Sequence, residues 1–209
     1  MQVDWNAIDS QLRKFDEKYA LKKCIRKTAG MTIEQKSARQ AFFASVVEKA
    51  NPKRKGRIFD SSDKKIKKAI DDILAPFFER KKFDNKSCYE TIEKIRDFYK
   101  INEEYPYTYG NAQKWLTIAM KYYVVNLFHE SQPITAKDFF ETHKEFLDCK
   151  IFAVDNIIED AARRQLGVEF KDAKKWHERD NLEEFKEYWR KVEKNVKDYT
   201  PFLWELVNW

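Results

Sequence analysis

The feature that most constrains this chain is an apolar run from Trp115 to Phe128, broken only by Thr117, Lys121 and Asn126. A helix that is apolar on nearly every side has to be enclosed by other elements. The run is too short to cross a bilayer, which takes roughly 20 such residues. It therefore reads as the central rod of a folded domain. The enclosing elements follow from a scarcity: 209 residues contain only 4 Gly and 5 Pro. Strands need frequent turns, and turns draw on those two residues, so helices are favoured. Aromatic residues make up 15%, which supplies large apolar surfaces and excludes a disordered composition. The reading is all-α: a single compact multi-helix domain over 1–209, arranged around a helix spanning about 109–128.

Helical periodicity recurs along the chain. Trp5, Ile8, Leu12, Phe15 and Tyr19 step by three or four and predict a first helix from about Trp5 to Arg26. Thr32-Ile-Glu-Gln has the capping-box pattern for a helix running to about Ala50, before the Asn51–Arg57 loop. Ser62 opens a segment carrying Ile66, Ile70, Ile73 and Leu74 on one face, which Pro76 interrupts. Cys88–Ile101 is the next helix, and Glu103–Tyr107 a loop into the rod. Thr135 caps a helix through about Leu147, and Phe152–Leu166 ends at Gly167. Leu182–Val196 and a short Phe202–Val207 helix behind Thr200-Pro201 complete the chain.

Polar groups gather where the rod begins. A helix starting near Tyr109 directs its free amides and the positive end of its dipole outward, as an anion site requires. Lys114 adds charge one turn in. Gln113 shares a face with Leu116, Met120 and Leu127, points inward and needs a hydrogen-bond partner. Asp155, placed within a helix between Phe152 and Ile158, is costly to bury alone. Lys114 is its expected partner, with Arg163 and Arg164 as competitors. The corner thus yields a candidate ligand site of Tyr107, Tyr109, Gly110, Asn111, Gln113, Lys114 and Asp155. Tyr107 or Tyr109 would stack on a base, and the alternative is a structural ion pair that orients two helices.

Several of these residues fall in one pattern. Tyr109-Gly-Asn-Ala-Gln-Lys-Trp-Leu, then Asp155 followed by Ile157-Ile158, then Tyr188 and Leu203-Trp-Glu-Leu-Val-Asn-Trp209, resembles a loosely defined group of small bacterial helical proteins. Those carry a Phe/Tyr-Gly-x-Ala-Gln-Lys-x-x-Asn helix, a later Pro-x-Asp-x-x-Ile segment and a Trp-Glu near the C-terminus. The resemblance covers residues 107–209. This chain departs from it at Thr117, where the pattern has Asn, and at Ala153, where it has Pro. It implies Gln113, Lys114, Asp155 and Trp204-Glu205 as a set of positions and assigns them no role.

Charge is unevenly spread. Residues 1–100 hold 25 Lys/Arg against 15 Asp/Glu, and residues 101–209 hold 16 against 20. The basic first half, with Lys22, Lys23, Arg26, Lys53, Arg54, Lys55 and Arg57, offers a surface for an anionic partner or for the acidic half. No nucleic-acid motif accompanies it. His129, His143 and His177 are not in ligand or nucleophile spacing, and the three cysteines form no CxxC. Glu205 beside Trp204 is a lone carboxylate in an aromatic setting, which by itself is thin support for acid–base work. The expected function is non-enzymatic binding of an anionic ligand, either a nucleotide-like small molecule or a nucleic-acid backbone, in a bacterial or phage setting such as defence or counter-defence. The alternatives are a protein-interaction module or homodimer docking through the basic half, and an enzyme acting on a phosphate ester. No cofactor, metal or membrane is expected, and the location is cytoplasmic.

Overall fold

The computed structural model describes residues 3–16, 30–45, 62–99 and 107–209. All regular structure among them is helical, in one domain. The rod is helix α6, Tyr109–Glu130, and 15 of its 22 residues are buried. It packs chiefly against α2 (Ile33–Ser45) and α5 (Asn85–Tyr99). Around these lie α1 (Trp5–Phe15), α3 (Ser62–Ala69), α4 (Ala75–Glu79), α7 (Ala136–Thr142), α8 (Asn156–Leu166), α9 (Leu182–Asn195) and α10 (Pro201–Asn208). None of the described helices is long and apolar enough to cross a membrane.

The sequence signals explain most of the boundaries. Thr32 and Gln35 form the reciprocal capping box, each bonding to the other's backbone N–H at 3.2–3.3 Å. Thr108 Oγ1 accepts from the Asn111 N–H and opens α6, and Thr135 and Thr200 do the same for α7 and α10. Gly167, at φ 65°, closes α8 in the left-handed conformation that glycine adopts at least cost. Pro76 does not break its segment. A π turn, Ile70–Leu74, separates α3 from α4 and places the proline in the first turn of α4, where its missing N–H costs nothing.

One boundary differs in a way that matters. Residues 151–155 are not helical; α8 begins at Asn156, and Asp155 is its N-cap, with Oδ1 accepting from the N–H groups of Ile157 and Ile158 at 3.0 and 3.2 Å. Ile151, Phe152, Ala153 and Val154 are all buried in a stretch without regular secondary structure. Burial on every side fits such a run as well as it fits a helix, so the apolar pattern alone does not distinguish them.

Candidate functional site

The expected meeting of α6 with Asp155 is present. Lys114 Nζ lies 3.4 Å from Asp155 Oδ2 and 4.3 Å from the centre of the Trp176 ring. Arg163 and Arg164, the competitors, both pair with Asp160 instead. Gln113 is fully buried and its amide mimics a backbone partner: Nε2 donates to the Val154 carbonyl at 2.9 Å, and Oε1 accepts from the Val154 N–H at 3.1 Å. It therefore ties the non-helical 151–155 stretch to the rod.

The start of α6 is filled from within the chain. The Tyr109 N–H donates to Asp180 Oδ1, the Gly110 N–H to the Arg179 carbonyl, the Asn111 N–H to Thr108 Oγ1 and the Ala112 N–H to the Thr108 carbonyl. These are the donors an anion would use, so the cradle expected at 110–113 is occupied by protein acceptors. Gly110 is required by that closure, because a Cβ there would sit 1.8 Å from the Trp176 carbonyl oxygen. The aromatic residues are engaged too. Tyr107 stacks on Tyr99 at 4.7 Å, and the Arg96 guanidinium covers the Tyr109 ring at 5.1 Å while bonding Asp180. Lys22, Lys23, Arg26, Lys53, Arg54, Lys55 and Arg57 lie outside the described residues.

Two turns along α6, on the same face as Lys114, Lys121 reaches Glu205 of α10 at 2.5 Å. Neither side chain of this pair touches solvent appreciably, at 3% and 0% exposure. Burial pushes the Glu205 carboxyl up to about 7, against the pull of the Lys121 ammonium, and pushes the Lys121 ammonium down from its ordinary value. Trp209 ties the two pairs together: its ring lies 3.6 Å from Lys121 Nζ, and its Nε1–H points to Asp155 Oδ2 at 3.4 Å. The Trp176 and Trp209 rings cover the two ammonium groups.

The segment that closes the corner, residues 167–181, is held by Arg179, which is 2% exposed. Its guanidinium pairs with Asp172 and Glu184 and donates to the carbonyls of Asp172 and Lys174. The same guanidinium lies 3.7 Å from the centre of the Phe170 ring, and Tyr188 of α9 stacks on Phe170 at 4.3 Å. This tier borders two adjoining hollows of about 220 and 280 Å³, both lined by Glu169, Phe170, Asp172 and Tyr188. Glu159, on the first turn of α8, lines the larger. Its Oε1 is buried and finds no hydrogen-bond partner, and the same holds for the Tyr188 hydroxyl. Burial raises the Glu159 carboxyl to about 7 even though Arg179 pulls it back, and raises the Tyr188 hydroxyl as well.

Sequence reasoning did not single out Glu159 or Arg179, because a charged residue among many charged residues looks solvated. Lys121 carried a readable signal, as the one charge inside the apolar run, seven residues from Lys114. Among the described residues no His, Cys, Asp and Glu groups gather as a metal site would need. Comparison with known protein families, curated proteins and solved structures finds no match to this chain.

Proposed function

We propose that this chain is a binding protein for a small ligand, and that the ligand seats in the hollow between the start of α8, the 167–172 segment and α9. The observation that carries this reading is that Glu159 and Tyr188, both of which line the hollow, each hold a buried polar atom without a partner, Glu159 Oε1 and the Tyr188 hydroxyl. A buried polar group left unpaired costs about 1–3 kcal/mol. Folded proteins rarely retain such a cost in their interiors, and sites that exchange it for a ligand's hydrogen bonds are the common exception. Several other buried polar atoms also lack partners, but Glu159 and Tyr188 share one hollow.

The Lys114 corner then serves as a support. It fixes α6 to Asp155, and Asp155 caps α8 one turn before Glu159. A nucleotide-like ligand at that corner would have to displace Asp155 and the Trp176 ring from Lys114, along with the acceptors that occupy the α6 amides. The reading is tested by thermal shift of the full chain against a panel of nucleotides, carboxylates, sugars and amines, since a ligand of the native state raises the melting temperature by mass action. A shift reduced in Tyr188→Phe and unchanged in Lys114→Met supports it. A shift lost in Lys114→Met and kept in Tyr188→Phe returns the site to the start of α6.

A further inference from the structure

We infer that the ligand of this hollow is a small organic cation carrying N–H donors, such as a primary ammonium or a guanidinium. The assignment rests on the binding reading above and adds the sign and the donors of the ligand. Every cation lining the two hollows already has a carboxylate: Arg163 has Asp160, Lys171 and Lys191 share Glu187, and Arg179 has Asp172 and Glu184. Removing those pairs from the lining leaves two carboxylates, Glu159 and Glu169, that form no salt bridge among the described residues. The hollow therefore has a net acceptor character.

The second observation is independent of charge. Tyr188 is 2% exposed, borders both hollows and has a hydroxyl with no hydrogen-bond partner. A phenol beside a carboxyl supplies a second acceptor for the same N–H-bearing group. The edge of Phe170, whose faces are taken by Arg179 and Tyr188, supplies an apolar wall for a short alkyl stem. Hollows of about 220 and 280 Å³ suit a ligand with few heavy atoms, below the range of drug-sized pockets. A bare divalent ion does not fit, since it asks for several oxygens converging at one point. Among the described residues no such cluster exists.

The test is a titration of the full chain with butylammonium and butylguanidinium, followed by backbone amide chemical shifts. Tetramethylammonium serves as a cation without N–H donors, and butyrate as an anion. The expected result is saturable shifts at residues 159, 169–172 and 188 with the two N–H donors. Loss of one hydrogen bond to a charged group corresponds to roughly a tenfold or greater change in affinity, so Glu159→Gln should weaken binding by at least that factor. Tyr188→Phe, which keeps the ring stack, should weaken it by a smaller factor and guards against a folding defect in the first variant. Saturation by butyrate alone overturns the cation while leaving the site. Equal response to tetramethylammonium overturns the role of the donors. No saturable response to any probe overturns both the cation and the site.

Discussion

Replacing Lys121 and Glu205 together should leave the protein as stable as before, or more so, although the two form the shortest buried ion pair among the described residues. At 2.5 Å and an effective dielectric of about 20, their attraction is on the order of 7 kcal/mol. Against it stands a desolvation cost of several kcal/mol for each ion. The upward displacement of Glu205 and the downward displacement of Lys121, both driven first by burial, indicate that desolvation wins. Lys121→Met with Glu205→Leu is therefore expected to range from neutral to about 4 kcal/mol more stable. Either substitution alone leaves a buried charge without its partner and should cost about 3–5 kcal/mol. For a domain of this size that lowers the melting temperature by roughly 6–20 °C.

The pair also carries a pH signature. A carboxyl at its ordinary 4.5 in the unfolded chain and at about 7 in the fold means that the fold binds the extra proton between those values. Stability from this group is complete below about pH 4.5, falls as pH rises to about 7, and is level above; the fall amounts to at most about 3 kcal/mol. Glu159 adds a slope of the same sign, which the double variant retains. Urea denaturation followed by circular dichroism at several pH values between about 5 and 8 reads both effects. Two outcomes refute the reasoning: a double variant that loses the sum of the two single losses, or a pH slope that does not shrink when the pair is removed.

Gly110→Ala places a Cβ against the Trp176 carbonyl and should undock the 167–181 segment, costing about 1–3 kcal/mol or more. Limited proteolysis would report it as new cleavage within that segment. Gln113→Leu strips both hydrogen bonds from the Val154 peptide in the interior and should cost about 2–5 kcal/mol, read by chemical denaturation. An unchanged midpoint would show that water or a neighbour serves that peptide instead.

Much of this architecture is legible in the residues. The rod and the inward face of Gln113 follow from periodicity, and Thr135 and Thr200 mark the starts of α7 and α10. The Lys114–Asp155 contact follows from the cost of burying an acid, yet the acid's local role does not. Ile151–Val154 is apolar at every position, so its pattern permits a helix, and its bonds to Gln113 and Trp189 arise from packing that the pattern does not show. The same limit hid Arg179. It is buried because the 167–181 segment folds across the start of α6, a tertiary event that leaves no periodic trace. Glu159 is hidden for a related reason, since its burial depends on Phe170 and Tyr188 arriving from two other elements.

The measurement closest to the central claim is the melting temperature of Tyr188→Phe and of Glu159→Gln at about pH 8, without ligand. If the hollow holds polar atoms kept for a ligand, removing the hydroxyl or the charge relieves a cost, and both variants should melt at or above the parent temperature while binding ligand more weakly. A fall of several degrees in both would mean that these groups already serve the fold, and the hollow would lose its standing as a site.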